Sequence, residues 1–191
     1  MTTAIIFMGA VIILVIVGLV ISKRMRDSAW KQFAAEIGGE FVNNGFFRSS
    51  KVEAHIQNWI VTLDTYSVPS GDSSTTYTRI KAGFQNRDDF QFRIFRTGLV
   101  SKIDKALGAQ DIEIGDEEFD RAFTVQSNNE SRVRALLMNQ RIRHLIQAQK
   151  SIRLTTRNNE LNFETQGVIR DIERLKLLFD LFREVLGQLG G

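Results

Sequence analysis

The sequence predicts an α+β protein in which a single N-terminal transmembrane helix precedes one domain, a mostly antiparallel sheet with packed helices. Three observations support this prediction. Residues 4–22 are uncharged and almost wholly apolar, four later segments alternate with a period of two, and apolar residues recur at helical spacing around those segments. A pleckstrin-like barrel capped by the C-terminal helix is the alternative architecture.

The N-terminal run AIIFMGAVIILVIVGLVIS predicts the transmembrane helix. A helix rises about 1.5 Å per residue, so the run is long enough for the ~30 Å hydrocarbon core of a bilayer. Lys23, Arg24 and Arg26 follow the run and no basic residue precedes it, which predicts that the C-terminal flank is cytoplasmic. A cleaved signal peptide would instead need a basic leader and a shorter apolar region. We therefore expect a single-pass protein of the cell membrane with its N-terminus outside, an anchor and basic flank over 1–25, and a cytoplasmic α+β domain over 26–191.

The first half of the domain reads as one helix followed by strands. A helix is predicted over 26–37, ending at Gly38-Gly39. Half-buried antiparallel strands are then predicted over KVEAHI, WIVTLDTY, TTYTRIKAGF and FQFRIF, with a loop at VPSGDSS around Pro69, the only proline. A short helix is predicted over LVSKIDKALG, closed by Gly108.

The second half predicts two longer helices on either side of a hairpin. One helix covers about 131–149, and the strands SIRLTT and ELNFET flank a turn at Asn158-Asn159. Asp171 is a candidate N-cap of the last helix, whose apolar residues fill one broad arc. That arc predicts a helix that packs on the sheet rather than one that binds a partner.

An acidic stretch, DIEIGDEEFDRAFTVQSN, is the strongest candidate for chemistry because six of its first ten residues are acids. It does not match a calcium-binding EF-hand loop, since the glycine falls one position early and the glutamate at position twelve is missing. Strand alternation around Ile112 and Ile114 predicts that the acids face solvent. Glu118 and Asp120 are the pair that a metal site or an acid/base pair would use.

The motif Gly115-Asp116-x-x-Phe119-Asp120-x-x-Phe123-x-Val125 is followed by the helical segment VRALLMNQ. Together they resemble an uncharacterised family of bacterial membrane-anchored proteins with a domain of unknown function. The resemblance covers roughly residues 100–165. It implies a membrane-tethered bacterial protein, and it supplies no catalytic residue.

A basic block follows the acidic stretch, with seven lysines and arginines and no acid between Ser131 and Arg157. On the helix predicted over 131–149 the block offers a candidate basic surface, formed by Arg132, Arg134, Arg141, Arg143 and Lys150. Either the side chains lie along the core edge with their charges in water, or they bind anionic lipid or a partner. The net charge of +3 and the absence of interleaved aromatic residues argue against nucleic-acid binding.

Few residues suggest an enzyme. The chain has no cysteine, neither histidine is spaced for pairing with a nucleophile, and the common phosphate-binding and zinc-protease motifs are absent.

The leading hypothesis is a non-enzymatic interaction or scaffold domain at the inner face of the membrane. Its partners would be the lipid bilayer and a membrane or cytoplasmic protein, with no cofactor. The alternatives are an anionic-lipid sensor that uses the basic residues and an enzyme that uses segment 111–120. The sequence names no partner, oligomeric state or pathway.

Overall fold

The computed structural model describes residues 2–43, 45, 49–71, 73–98 and 111–190. Its elements run in the order α1 (Thr2–Ile37), β1 (Glu40–Val42), β2 (Lys51–Ile56), β3 (Trp59–Ser70), β4 (Ser73–Gly83), β5 (Phe92–Arg96), α2 (Glu117–Ala122), β6 (Phe123–Ser127), α3 (Glu130–Met138), α4 (Gln140–Gln147), β7 (Arg153–Arg157), β8 (Glu160–Gln166) and α5 (Ile172–Leu189). This confirms the predicted α+β class. The helix predicted over LVSKIDKALG lies outside the described residues.

The strands form one open antiparallel sheet in the order β1-β2-β3-β4-β8-β7-β5-β6. The late hairpin of β7 and β8 lies in the middle of the sheet, because β8 pairs with β4 and β7 pairs with β5. The two outermost strands, β1 and β6, are therefore far apart, and in the described residues they do not pair with each other. The mostly antiparallel sheet is confirmed, and the alternative of a closed pleckstrin-like barrel is wrong.

One tight turn agrees with the sequence, and one predicted loop does not. Positive φ angles at Asn158 and Asn159, of 50° and 60°, form the turn between β7 and β8. The segment around Pro69 is not a loop, because β3 and β4 stay paired as far as Ser70 and Ser73. Pro69 lies beyond Leu63, where the pairing of β3 with β2 ends, so its missing N–H leaves the ladder between β2 and β3 intact.

The core lies on one face of the sheet, where alternate strand residues meet the long helices in a single cluster. Helix α5 contributes the largest share, with Leu175, Leu178, Phe179, Leu181, Phe182, Val185, Leu186 and Leu189 buried. The C-terminal part of α1 docks beside it through Trp30 and Phe33, which are both fully buried. Trp30 Nε1 donates to the Ile169 carbonyl at 2.9 Å, and the Phe33 ring packs edge-on to Phe179 at 4.9 Å.

Helix α1 differs from the predicted anchor. It is one continuous helix over 36 residues, and the large apolar side chains of its first part are exposed at Phe7, Met8, Val11, Ile13, Leu14, Val15, Ile16, Val17, Leu19, Ile21 and Met25. Among the described helices, none combines the length and apolarity that a membrane span requires. The predicted transmembrane helix, the single-pass topology with an external N-terminus and the location of the domain at the inner face of a membrane are therefore wrong.

The basic helix predicted over 131–149 is two helices, α3 and α4, that meet at Asn139. Asn139 has an extended backbone, with φ −67° and ψ 108°, and it ends α3. Its side-chain Oδ1 accepts hydrogen bonds from the backbone N–H groups of Arg141 and Ile142 at 2.9 and 3.4 Å. The asparagine therefore caps α4, and the arginines on its two sides do not share one helical wheel.

Candidate functional site

The face of the sheet opposite the core is the candidate site, and we call it the open face. Strand residues alternate between fully buried and half-exposed, so the second set points away from the helices. On the central strands these side chains are partly exposed, whereas those at the alternate positions are buried. The side chains of the open face are mostly polar or charged: Glu53, Thr62, Asp64, Tyr66, Tyr77, Arg79, Lys81, Arg93, Arg153, Thr155, Glu160, Asn162 and Glu164.

A row of alternating charges crosses the four central strands of the open face. Asp64 on β3 lies opposite Arg79 on β4, Arg79 lies opposite Glu164 on β8, and Glu164 lies opposite Arg153 on β7. We call these four residues the charged row. Neighbouring strands are about 4.8 Å apart, so each charge lies beside an opposite one, which stabilises the sheet.

The pair at one end of the charged row is held rigidly. Arg79 donates through Nε to Asp64 Oδ1 at 2.9 Å and through Nη2 to Asp64 Oδ2 at 2.7 Å. These hydrogen bonds raise the pKa of Arg79 above its ordinary value, against the opposing effect of partial burial. The two-bond geometry fixes the guanidinium plane, so the charge has a defined position on the face.

Two tyrosines lie beside the charged row. Tyr66 and Tyr77 are cross-strand partners whose rings stack at 5.4 Å, and the Arg79 guanidinium lies 5.1 Å from the centroid of the Tyr66 ring. The Tyr66 hydroxyl donates to Glu164 Oε1 at 2.8 Å. Burial first, and the hydrogen bond to Glu164 second, raise the pKa of Tyr66 well above its usual range. The tyrosine thus stays neutral and ties the row to the aromatic pair.

The acidic stretch has a structural explanation in the GD-x-x-F-D motif. Asp120 accepts hydrogen bonds from the backbone N–H groups of Ile114 and Gly115, both at 2.9 Å. Gly115 has a φ of 86°, which favours glycine. Asp116 caps α2 by accepting from Phe119 N at 3.1 Å, and Phe119 is fully buried. Each polar residue of the motif therefore shapes the turn that leads into β6.

The candidate carboxylate pair does not converge. Glu118 and Asp120 lie on helix α2 and not on a strand, so two residues of separation turn their side chains to different sides. Glu118 is exposed, whereas both oxygens of Asp120 already accept backbone hydrogen bonds. Among the described residues, no group of three or more histidines and acids is arranged to hold a metal ion.

The candidate basic surface is largely neutralised by acids from elsewhere in the chain. Its arginines form ion pairs as follows: Arg132 with Asp88 at 2.9 Å, Arg134 with Glu130 at 2.7 Å, Arg141 with Glu184 at 3.2 Å, and Arg143 with Asp116 at 3.3 Å. Lys150 is exposed and has no ion pair within the described ranges. The sequence pattern missed these partners because all of them lie outside the acid-free block.

The three basic residues after the apolar run are used in different ways. Arg26 pairs with Asp27 at 2.8 Å and lies over the Trp30 ring at 5.4 Å, both on α1. Its Nη1 also donates to Thr65 Oγ1 on β3 at 3.5 Å, so it helps to dock α1 on the domain. Lys23 Nζ donates to the Gly45 carbonyl. Arg24 is exposed.

Sequence reasoning missed the charged row. A signal was present, because Asp64, Arg79, Arg153 and Glu164 occupy polar positions of alternating strands. The row exists only because the late hairpin inserts beside β4, which places Glu164 between Arg79 and Arg153. No local pattern predicts that insertion.

Comparison with known proteins bears on the fold. No protein-family model and no curated protein matches the chain. The crystal structure of the mycobacterial trehalose monomycolate transport factor A, TtfA, is similar, with a TM-score of 0.57 and 12% sequence identity over 87% of this chain and 95% of that chain. The two chains share a fold. At this identity the likeness shows the fold alone, and the predicted resemblance to the uncharacterised bacterial family stays a prediction.

Proposed function

We propose that the protein is a non-enzymatic interaction domain whose open face binds a protein partner. The observation that carries this proposal is the charged row with its adjoining tyrosines, on a sheet face whose side chains are partly exposed. Fixed charges of both signs determine the register and the choice of a partner more than they add to raw affinity. Tyrosine and arginine are also enriched at protein interfaces.

The similar structure supports a role as an accessory factor. TtfA is named as a transport factor, and its chain is covered by the likeness over 95% of its length. We propose that this chain likewise assists a process by binding, and that it does not catalyse a reaction. The groups of the open face support this view, because its central acids, Asp64 and Glu164, are bound by Arg79 and Tyr66 and are poorly placed to move protons.

The anionic-lipid alternative receives no support from the basic helices. Four of the five residues of the candidate basic surface are paired with acids at 2.7–3.3 Å. The acids already compensate the charge of these arginines, so their attraction for an anionic headgroup is weakened.

Site-specific photo-crosslinking tests the proposal. A photoreactive amino acid at Thr62, which lies on the open face, is compared with one at Leu177, which is exposed on α5. We expect a discrete crosslinked protein from position 62 in cells that produce the full chain, and its loss when Arg79→Ala and Arg153→Ala are combined. Equal crosslinking from both positions, or none from position 62, would contradict the proposal.

A further inference from the structure

We infer that the partner of the open face is a second copy of this chain, packed face to face about a two-fold axis. This inference rests on the proposed function and names its partner. It follows from the order of charges on the open face. When a second copy presents this order in reverse, each charge lies opposite a charge of the other sign.

The charged row carries the first part of the argument. Read across β3, β4, β8 and β7, its charges are negative, positive, negative and positive. A two-fold axis parallel to the strands, between β4 and β8, reverses the order of the strands in the second copy. Asp64 then faces Arg153 of the partner subunit, and Arg79 faces Glu164 of the partner subunit. Every charge in the row meets an opposite charge.

The next row of side chains on the open face independently agrees with the same axis. Starting on β2, this row runs Glu53, Thr62, Lys81, Asn162, Thr155 and Arg93. The axis between β4 and β8 brings Glu53 opposite Arg93 of the partner subunit. It brings Lys81 opposite Asn162 of the partner subunit, and the threonines opposite each other. No like charges face each other in either row.

The arrangement distinguishes a two-fold axis parallel to the strands from one that crosses them in the plane between the two sheets. If a second copy packed with its strands in the same order across the sheet, Asp64 would face an aspartate and Arg79 an arginine, at a cost of several kcal/mol for like charges. Two-fold interfaces are the commonest in soluble oligomers and require a self-complementary surface. Twisted sheets also pack face to face with their strands aligned to within about 30°.

The partly exposed charges of the two rows determine how strongly this interface associates. Arg79 and Asp64 retain 30% and 19% of their side-chain exposure, so their outer edges remain open to a partner while their own ion pair persists. Because desolvation of charged groups offsets much of their attraction, the dimer should be reversible and sensitive to salt.

Complementary charge variants of the full chain test the inference. Asp64→Lys with Glu164→Lys makes the charged row wholly positive, and Arg79→Glu with Arg153→Glu makes it wholly negative. Energy transfer between donor-labelled and acceptor-labelled chains reports association. We expect each variant to associate with itself at least about tenfold more weakly than the wild type, because close interface charge pairs carry about that much affinity. An equimolar mixture of the two variants should recover association, and salt should weaken it.

The matched control changes charges at a site that lies away from the open face. Glu130→Lys with Arg134→Glu reverses an exposed ion pair on α3 and should leave association at the wild-type level. Circular dichroism confirms that each variant is folded. If the mixture associates no more than the separate variants, or if each variant associates as well as the wild type, the inference is overturned. A crosslink from Thr62 to a different protein would then leave the proposed function standing, whereas no crosslink at all would remove both.

Discussion

The two oxygens of the Asp120 carboxylate are each 2.9 Å from a backbone nitrogen, one of Ile114 and one of Gly115. A charged acceptor that bridges two successive amides holds the turn before α2 in one conformation. Glu118, two residues earlier, is exposed. At the scale of single residues the acidic stretch therefore divides into acids that hold the backbone and acids that only face water.

Replacement of Asp120 tests this division. Asp120→Asn keeps the shape of the side chain. It leaves only one acceptor oxygen, and it places an amide NH₂, which cannot accept, against the other backbone N–H. We expect the free energy of unfolding to fall by about 1.5–3 kcal/mol, the usual range for hydrogen bonds to a charged group. Urea unfolding measures the change. The control, Glu118→Gln, should stay within about 0.5 kcal/mol of the wild type, and equal losses in the two variants would refute the assignment.

The Tyr66 hydroxyl predicts how stability depends on pH on the alkaline side. Its pKa is raised in the folded protein, by burial and by donation to Glu164, above the unfolded value of about 10. The unfolded chain therefore loses this proton first as the pH rises. The stabilisation is complete below about pH 10 and declines between the unfolded and the folded pKa.

Tyr66→Phe should lower the free energy of unfolding at pH 7 by about 1 kcal/mol, discounted for the partial exposure of the ring. It should also flatten the decline in stability above about pH 10. Unfolding measured in urea at several pH values between 7 and 11 tests both effects. Tyr77→Phe is the matched control, because it removes a hydroxyl from the stacked ring and leaves the bond to Glu164 intact. An unchanged alkaline decline in Tyr66→Phe would show that another group is responsible.

At the scale of elements, the break at Asn139 decides where the basic residues point. Asparagine competes for backbone hydrogen bonds inside a helix, and here its side chain accepts from Arg141 N and Ile142 N to start α4. The chain changes direction at this residue. Arg141 then reaches Glu184 on α5, while Arg134 stays paired with Glu130 on α3.

Loss of this cap should be measurable. Asn139→Ala removes the acceptor for α4 and should lower the free energy of unfolding by about 1 kcal/mol, as for other N-caps. Gln140→Ala, at the next and exposed position, is the control and should have little effect. If Asn139→Ala were as stable as the control, or more stable, the two helices would have to be regarded as one.

At the scale of the whole molecule, the C-terminal part of α1 belongs to the core of the domain. Trp30 is fully buried and donates to the Ile169 carbonyl, between β8 and α5. Phe33 packs on Phe179 of α5. The first helix and the last helix thus close the same side of the sheet, opposite the open face.

Trp30→Ala tests the contribution of α1 to folding. Removal of a buried tryptophan and its hydrogen bond should lower the free energy of unfolding by about 3–5 kcal/mol. Lys31→Ala, at an exposed position on the same helix, should change it by less than about 0.5 kcal/mol. A small effect of Trp30→Ala in urea unfolding would mean that the domain is stable without this helix.

By itself the sequence determined the features that depend on near neighbours. The α+β class, the strand alternation, the asparagine turn and the cap at Asp171 follow from local periodicity and turn chemistry, and the structure has them all. Tertiary structure alone decided which strands lie side by side, where each arginine finds its acid, and that the sheet is open. These features depend on pairings between distant parts of the chain, such as Arg79 with Glu164. The period of a strand shows which face of the sheet a residue lies on, but it does not show which strand lies beside it.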